Sequence, residues 1–332
     1  MKKLKKKIFP IGLYAFVGLV ILIPFLLIFE ASIILITGKI SSMSTSIVFC
    51  FNLLIIVMIV TLITDISYVS KRRGGELEVL EQPIKEKLVT VVLTAYNDEL
   101  SIGKSVEDFI NHPNVKRVLV IDNNSSDGTY EKAMEADAIV IKELIQGYGR
   151  CVYRALFEAS KFIDTELIVL CEGDMTFRAR DIEKLLAYES HGDIVNGTRI
   201  SQQLRMPDTQ LTNFIYFGNF FVGKLLELKH LGKGTLTDVG TTYKLCKSEF
   251  IRANLHEYNP AVNHEFNAHF LDRSLEIGAK VIEVPITFYK RVGVSKGGNS
   301  SNRAAIRVGV KMIIGILFGW PKAKEGRNGR GK

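Results

Sequence analysis

The chain has 332 residues, of which 47% are hydrophobic, and a formal net charge of +8. The apolar excess lies in the first 70 residues, so the length allows membrane segments plus one large α/β domain. The basic residues cluster at the two ends and at 71–73, which favours a membrane surface over a nucleic-acid partner. The four cysteines lack metal-ligand spacing, which excludes a zinc site and fits a reduced, cytosol-facing compartment.

Two apolar runs, at 8–36 and 46–66, are each long enough to cross a bilayer, which takes about 20 residues. A cleaved signal peptide is the alternative, but the first apolar core is too long and a second run follows at once. Lysines precede the first run and the basic run 71–73 follows the second, whereas only Lys39 lies between them. The sequence therefore predicts a transmembrane hairpin within residues 1–70 of a multi-pass plasma-membrane protein, with both ends cytoplasmic.

A charged linker at 71–87 leads to a region, 88–300, in which strand and helix patterns alternate. The patterns predict strands at 88–95, 115–122, 138–142 and 166–171, a helix ending near Asn111 and another at 148–162. Such alternation predicts an α/β domain with a largely parallel sheet, whose ligands lie beyond the carboxyl ends of the strands.

Polar residues follow these predicted strand ends. Glu172, Gly173 and Asp174 follow the fourth strand, where two carboxylates supply the hard oxygen ligands that Mg²⁺ or Mn²⁺ takes. An ordinary capped turn before a helix is the alternative explanation of this triplet. Asp122 and Asp127 could likewise accept hydrogen bonds from a base or ribose, or simply cap a helix.

A glycine-rich segment, 146–150, contains Gly147 and Arg150 at the start of a predicted helix, where phosphates bind. It matches neither a dinucleotide-binding fingerprint nor a P-loop, which argues against a nucleotide-dependent oxidoreductase.

These strands and polar segments follow one another in a characteristic order. In this order, residues 88–296 resemble glycosyltransferase family 2, and within it the polyprenyl-phosphate glycosyltransferases. The ordered matches are TAYNDE at 94–99, DNNSSDGT at 122–129, EGD at 172–174, GTR at 197–199, DVGTTYK at 238–244, EVPI at 283–286 and RVGVSK at 291–296. The resemblance implies a GT-A (Rossmann-like) domain that binds a UDP- or GDP-sugar. Glu172 stands where the family has the first aspartate of D-x-D, which keeps the charge and adds a methylene.

The resemblance also implies residue roles. The metal ligands would be Glu172 and Asp174, and the catalytic set would add Arg199 and Glu265. Contacts to the donor are implied for Ala95, Tyr96, Asn97, Glu99, Asp122, Asn124, Asp127 and Gly173, and the glycine-rich segment adds Gly147 and Arg150. Contacts to the donor diphosphate or an acceptor phosphate are implied for Arg199, Lys244, Arg291 and Lys296.

The acceptor decides whether a base is needed. A lipid phosphate is ionised at neutral pH and can attack the anomeric carbon directly, whereas a hydroxyl needs a base, for which His264 and Glu265 are the candidates. We expect an inverting, metal-dependent transfer to a polyprenyl phosphate at the cytoplasmic membrane face. The alternatives are a hydroxyl acceptor in glycolipid or cell-surface polysaccharide synthesis, and a non-catalytic membrane scaffold that keeps the fold.

The segment 301–320 places cationic residues before an apolar stretch, 308–320, that is too short to cross a bilayer. It predicts an amphipathic or interfacial helix, with a buried core helix as the alternative. A basic tail, 321–332, follows.

Overall fold

The computed structural model describes residues 28, 29, 31–38, 49, 52, 55, 56, 84–230, 233–293 and 302–321. The chain divides into two compact units, residues 1–78 and 79–332. Most of the predicted transmembrane hairpin and linker, nearly all of the basic tail, and Lys296 lie outside the described residues. In the described part of the chain, no helix is both long and apolar enough to cross a membrane.

Seven strands of the described second unit form one sheet. Their order is β3-β2-β1-β4-β6-β5-β7. They are β1 (Val89–Ala95), β2 (Val115–Asp122), β3 (Ile139–Lys142), β4 (Leu167–Glu172), β5 (Ile194–Thr198), β6 (Lys244–Lys247) and β7 (Val281–Pro285). Only β6 runs antiparallel to its neighbours, β4 and β5. The predicted, mostly parallel sheet is confirmed.

The helices of this unit are α1 (Ile102–Ile110), α2 (Thr129–Glu135), α3 (Tyr148–Ser160), α4 (Ile182–Leu186), α5 (Asn213–Lys229), α6 (Ser248–Asn254), α7 (Phe266–Ile277) and α8 (Asn302–Phe318). The helix α1 forms because Ile102, Val106 and Phe109 recur at helical spacing, and all three are fully buried. Its apolar face packs in one cluster with β1, β4 and α4. The helix α3 packs against β1, β2 and β4.

The register of the parallel strands sets the geometry of the site. Thr94 on β1 is level with Glu172 on β4, and Ala95 is level with Asp122 on β2. Three strands therefore end at the same edge of the sheet, and their polar loops lie side by side.

The segment after β7 returns past the loop that follows β4. The Tyr289 N–H donates to the Thr176 carbonyl at 2.9 Å, and the Val292 N–H donates to the Asp174 carbonyl at 3.1 Å. This backbone pairing brings Arg291 to a loop that is more than one hundred residues away in sequence.

Candidate active site

A cavity of about 330 Å³ opens at the carboxyl ends of β1, β2 and β4, and we call it the strand-end cavity. It is lined by Thr94, Ala95, Tyr96, Asp98, Asn123, Gln146, Gly147, Tyr148, Cys151, Glu172, Asp174, Asn263, His264 and Arg291. Seven of these were predicted as site residues: Ala95, Tyr96, Gly147, Glu172, Asp174 and Arg291, and His264 as a candidate base. Its size and mixture of apolar walls with a few polar groups are those of a small-molecule site.

The two carboxylates of the Glu-Gly-Asp turn both face this cavity. The turn is held against β1 by the Gly173 N–H, which donates to the Thr94 carbonyl at 3.0 Å. Burial, and then the neighbouring negative charge of Asp174, raises the pKa of Glu172 to about 7. A pair of carboxylates that repel one another in this way is a site that a cation would stabilise.

Arg291 supplies part of the missing positive charge. Its Nη1 lies 2.7 Å from Asp174 Oδ2 in an ion pair, and its Nη2 donates to Asp98 Oδ1 at 2.8 Å. Asp98 also accepts the Tyr96 N–H. The guanidinium thus joins the loop after β1 to the loop after β4.

A chain of hydrogen bonds is directed at Glu172. The Asn267 amide donates to the Tyr148 hydroxyl at 2.8 Å, and the Thr242 hydroxyl donates to Glu172 Oε1 at 2.8 Å. Because Thr242 has only one proton, Tyr148 must donate to the Thr242 oxygen it contacts. Burial raises the pKa of Tyr148 well above its ordinary value, so the phenol remains a donor. Tyr148, Thr242 and Asn267 therefore hold one oxygen of Glu172 in place.

Three of the predicted donor-binding residues join the first two loops to each other. Asn97 Oδ1 accepts the Ser126 N–H at 2.7 Å, and Glu99 Oε2 accepts the Gly128 N–H at 3.2 Å. Asp127 Oδ2 accepts the Glu99 N–H at 3.4 Å, and its Oδ1 accepts the Thr129 N–H at 3.1 Å at the start of α2. These three residues therefore lie around the strand-end cavity but do not line it.

Asp122 ends β2 and Asn124 lies in the loop that follows it. Asp122 is fully buried, its Oδ1 accepts the Ser125 N–H at 3.2 Å, and its Oδ2 has no hydrogen-bond partner within the described residues. Asn124 adopts a left-handed backbone, with φ of 57°, and its carbonyl accepts the side-chain amide of Gln146. Arg150, on the first turn of α3, is half-buried and is not among the residues lining the strand-end cavity.

Arg199 forms a buried bidentate ion pair. Its Nε and Nη2 donate to the two oxygens of Asp238, each at 2.7 Å. Burial alone would raise the pKa of Asp238, but the Arg199 charge and its hydrogen bonds hold that pKa below its ordinary value. Glu283 Oε1 accepts the Asp238 N–H at 3.1 Å, so the EVPI segment supports the loop that carries Asp238.

Lys244, predicted as a phosphate contact, is fully buried on β6. Its ammonium donates to the Thr241 carbonyl and lies 3.4 Å from Asn267 Oδ1. Burial lowers the pKa of Lys244 to about 8. A contact with phosphate would require the ammonium to leave these partners and emerge from the core.

A second cavity, of about 320 Å³, lies between α5 and α8, and we call it the helix cavity. Its walls are mainly apolar, and four of its lining residues, Tyr148, Glu172, His264 and Arg291, also line the strand-end cavity. Arg199 and Asn219 add polar groups. The two cavities thus meet at the Glu172 carboxylate.

His264 stands at this shared wall, with its ring stacked near that of Tyr148 at a centroid distance of 6.4 Å. Burial lowers the pKa of His264 below its ordinary value, which favours the neutral imidazole. Glu265 is buried, and one of its oxygens lies 3.3 Å from the Lys311 ammonium on α8. Glu265 is not among the residues that line the strand-end or helix cavity.

Sequence patterns did not single out Asp98, Tyr148, Thr242 or Asn267, which the structure places at or around the carboxylates. Asp98 stands between two predicted site residues in the TAYNDE segment, so its position and charge were an available signal. Tyr148 and Asn267 lie on α3 and α7, and Thr242 lies in the loop before β6, so their proximity to Glu172 arises only from packing.

Residues 90–252 match the sequence profile of glycosyl transferase family 2. The chain is 27% identical over 227 residues to a dolichyl-phosphate hexose transferase of Haloferax volcanii, covering 66% of this chain and 93% of that protein. It is 24% identical over 230 residues to an undecaprenyl-phosphate mannosyltransferase of Micrococcus luteus, covering 66% of this chain and 92% of that protein.

Among solved structures, the chain is similar to glucosyl-3-phosphoglycerate synthase of Mycobacterium tuberculosis, crystallised with Mn²⁺, UDP and glucosyl-3-phosphoglycerate. The TM-score is 0.54 at 14% identity, over 74% of this chain and 88% of that one, which establishes a shared GT-A-like fold. Together with the ordered motifs and the site geometry, the profile match shows that residues 90–252 form a glycosyltransferase family 2 domain and that the chain is a glycosyltransferase.

Proposed function

We propose that the protein transfers a sugar, with inversion, from a nucleotide-sugar donor to a polyprenyl phosphate at the cytoplasmic face of a membrane. The observation that carries this proposal is the junction of two cavities of different chemistry at Glu172, Arg291 and Tyr148. The strand-end cavity suits a polar nucleoside diphosphate, and the helix cavity suits an apolar chain. The junction is where a sugar would pass between them.

The part of the proposal that concerns the donor rests on the strand-end cavity. The polar side chains that line it, among them Asn123 and Gln146, can accept and donate hydrogen bonds to a base and ribose. The Arg291 guanidinium offers a bidentate contact to a diphosphate. The solved relative was crystallised with Mn²⁺ and UDP, which agrees with this class of donor.

A divalent cation fits the Glu172 and Asp174 carboxylates, since both are hard oxygen ligands, and burial together with the neighbouring charge of Asp174 raises the pKa of Glu172. Within the described residues, no group of three or more acidic, His or Cys side chains is placed to hold an ion. Mg²⁺ and Mn²⁺ can take the remaining ligands from donor phosphates and water. When bound, such an ion would neutralise charge on the leaving diphosphate.

The part of the proposal that concerns the acceptor rests on the helix cavity and the residues around it. Its apolar walls suit a polyprenyl chain, while the cationic Arg199 and Arg291 at its inner end suit a phosphate. On α5, Phe217 and Phe221 are 66% and 59% exposed. Exposing two such apolar rings to water costs free energy and is unusual for a protein surface that contacts water alone. The curated relatives named for dolichyl and undecaprenyl phosphates are consistent with a lipid acceptor.

In the proposed reaction, an oxygen of the acceptor phosphate forms a bond to the anomeric carbon. The bond between that carbon and the diphosphate oxygen breaks, and the nucleoside diphosphate leaves with the electron pair. Arg291 stabilises the negative charge that builds on the diphosphate, and Tyr148 and Thr242 keep Glu172 oriented. The ionised phosphate needs no base, so His264 only shapes the wall of the helix cavity and Glu265 only pairs with Lys311 on α8.

A membrane location extends this proposal. The exposed residues Ile306, Ile314 and Phe318 give α8 an apolar face beside that of α5, and Arg303 and Arg307 add positive charge that suits anionic headgroups. The apolar runs at 8–36 and 46–66 would anchor the chain with its catalytic domain in the cytoplasm.

A hydroxyl acceptor is the second candidate, and the position of His264 favours it. His264 lines both cavities and is held neutral by burial, so its imidazole could accept a proton from a sugar hydroxyl. In that case His264→Gln and Glu265→Gln would remove transfer while leaving donor binding intact.

The test uses the full chain in membranes with radiolabelled UDP- and GDP-sugars and added polyprenyl phosphate. Transfer of label into a lipid that is labile to mild acid supports the proposal. Label that stays entirely out of the lipid fraction, with transfer to a sugar hydroxyl instead, would overturn the lipid-phosphate acceptor.

A further inference from the structure

Asp272 is a buried acidic residue on α7 that contacts three residues from two other segments. Its Oδ1 lies 2.6 Å from His230 Nε2, and its Oδ2 lies 2.7 Å from the Lys229 ammonium. Its Oδ2 also accepts the indole N–H of Trp320 at 2.7 Å. Burial would raise the pKa of Asp272, but the partners His230 and Lys229 outweigh it and lower that pKa. The carboxylate therefore stays ionised and keeps all three contacts.

The Trp320 side chain reaches Asp272 because the chain turns sharply at the end of α8. Gly319 adopts a left-handed backbone, with φ of 96°, and its N–H donates to the Gly315 carbonyl at 3.0 Å. The indole then folds back over Gly315, where a Cβ would come within 2.5 Å of the ring. A T-shaped contact with His269 and a 2.6 Å hydrogen bond from Asn259 to the Pro321 carbonyl complete this turn.

The three partners of Asp272 belong to the ends of two helices that enclose the helix cavity. Lys229 and His230 end α5, and Trp320 follows α8. One carboxylate thereby ties both walls of the cavity to α7, and α7 is itself buried against the core. None of these three partners lines the cavity, so the carboxylate acts on it only through the helices.

We propose that Asp272 is a positioning residue for acceptor binding, and that Trp320 is the latch through which it holds α8 in place. This rests on the proposed function insofar as the helix cavity receives the acceptor. Loss of the latch lets α8 move away from α5, which widens the cavity while the strand-end cavity keeps its shape. Binding of the acceptor is therefore weakened and binding of the donor is not.

The test compares Asp272→Asn and Trp320→Phe with wild type, and uses Arg273→Gln as a control. Arg273 is the next residue on α7 and forms ion pairs with Glu257 and Glu276 outside the cavity. Trp320→Phe keeps an aromatic ring over Gly315 but removes the N–H. Two properties are measured in the full chain: hydrogen exchange of the α8 amides, and the KM values for polyprenyl phosphate and for the nucleotide sugar.

We expect both variants to exchange α8 amides faster than wild type and to raise the acceptor KM by about tenfold, with the donor KM and kcat near wild type. The control should change neither property. Trp320 is the single tryptophan of the chain, so its fluorescence reports the same contact directly. Acceptor should alter its emission, and donor should not.

The latch is overturned if α8 exchange is unchanged in both variants, whether or not any lipid acceptor is used. The positioning role is overturned if α8 exchange rises but the KM values for donor and acceptor move together. If wild type transfers no sugar to polyprenyl phosphate while α8 responds as expected, the lipid-phosphate acceptor is wrong and the latch stands.

Discussion

Arg291 Nη1 lies 2.7 Å from Asp174 Oδ2, so a cationic side chain from the segment after β7 is paired with the innermost carboxylate of the Glu-Gly-Asp turn. The backbone contact from Val292 to the Asp174 carbonyl fixes this approach. Because the same guanidinium contacts Asp98, it is the point at which three loops of the active site meet.

Arg291→Gln should lower kcat/KM by about a hundredfold or more, because the site loses the cation that faces the departing diphosphate. Arg291→Lys should recover only a small part, since one ammonium cannot replace a fork that reaches two carboxylates. Steady-state transfer assays measure both. Lys290→Gln is the matched control, as Lys290 is adjacent and exposed. Activity of Arg291→Gln within twofold of wild type would contradict the role.

Removal of the cation should remove most of the stabilisation by nucleotide. Wild type in Mn²⁺ should gain several degrees in Tm with UDP or GDP, because a ligand that binds only the folded state stabilises it, and EDTA should remove most of that gain. Asp174→Asn should show little Mn²⁺-dependent gain. Glu135→Gln, which changes only an exposed ion pair on α2, should behave as wild type. An equal Mn²⁺-dependent gain in Asp174→Asn would argue against a metal at this carboxylate.

Asp238→Asn should lower the free energy of unfolding by about 3 to 5 kcal/mol, because it leaves the buried Arg199 charge without its partner. Urea denaturation of the full chain measures this. The comparison variant is Glu257→Gln, which removes a partly exposed partner of Arg273 and should cost less than about 1 kcal/mol. Similar decreases in the free energy of unfolding for the two variants would show that the buried Arg199–Asp238 pair matters no more to stability than the partly exposed pair.

His269 should make the fold sensitive to acid. Its Nε2 accepts the Asn259 N–H at 2.8 Å, and burial lowers the pKa of His269 to about 4. As the pH falls below about 6.5 the unfolded chain takes up the proton first, so this contribution is complete above pH 6.5 and is lost toward pH 4.

The size of that loss is about 3 kcal/mol, given the 2.5-unit difference between 6.5 and about 4. Urea denaturation at pH 7 and pH 4.5 should therefore show a smaller decrease for His269→Gln than for wild type. Carboxylates that titrate in the same range affect both proteins and cancel in the comparison. Equal decreases would mean that His269 does not titrate as a neutral buried side chain.

Gly309→Leu should impair acceptor use selectively. Gly309 lines the helix cavity, and a Cβ there meets nothing within 4 Å, so a larger side chain fills the cavity without disturbing the fold. We expect the acceptor KM to rise by about tenfold with the donor KM unchanged. Kinetics against each substrate measure this. A rise in the donor KM alone would place the acceptor elsewhere.

Local sequence patterns were sufficient to predict the strands and polar loops in the first half of the catalytic domain. The β-branched runs of β1 and β2 are buried strands, and the polar loops after them lie where the parallel sheet requires. The boundaries agree within one or two residues at 115–122 and 148–160, because strand burial and turn residues are encoded in neighbouring positions. The Glu-Gly-Asp turn follows directly from β4, so its place at the edge was also a local property.

The sequence by itself therefore determined the alternating strands, the carboxylates at their ends and the family. Only the tertiary structure decided the pairing of Arg291 with Asp174, the engagement of Arg199 by Asp238, the burial of Lys244 and the fastening of Trp320 to Asp272. These contacts join residues between 39 and 117 positions apart, or bury a charge between strands. Spacing along a chain cannot specify them, because they exist only once β6, β7 and the helices are packed against one another.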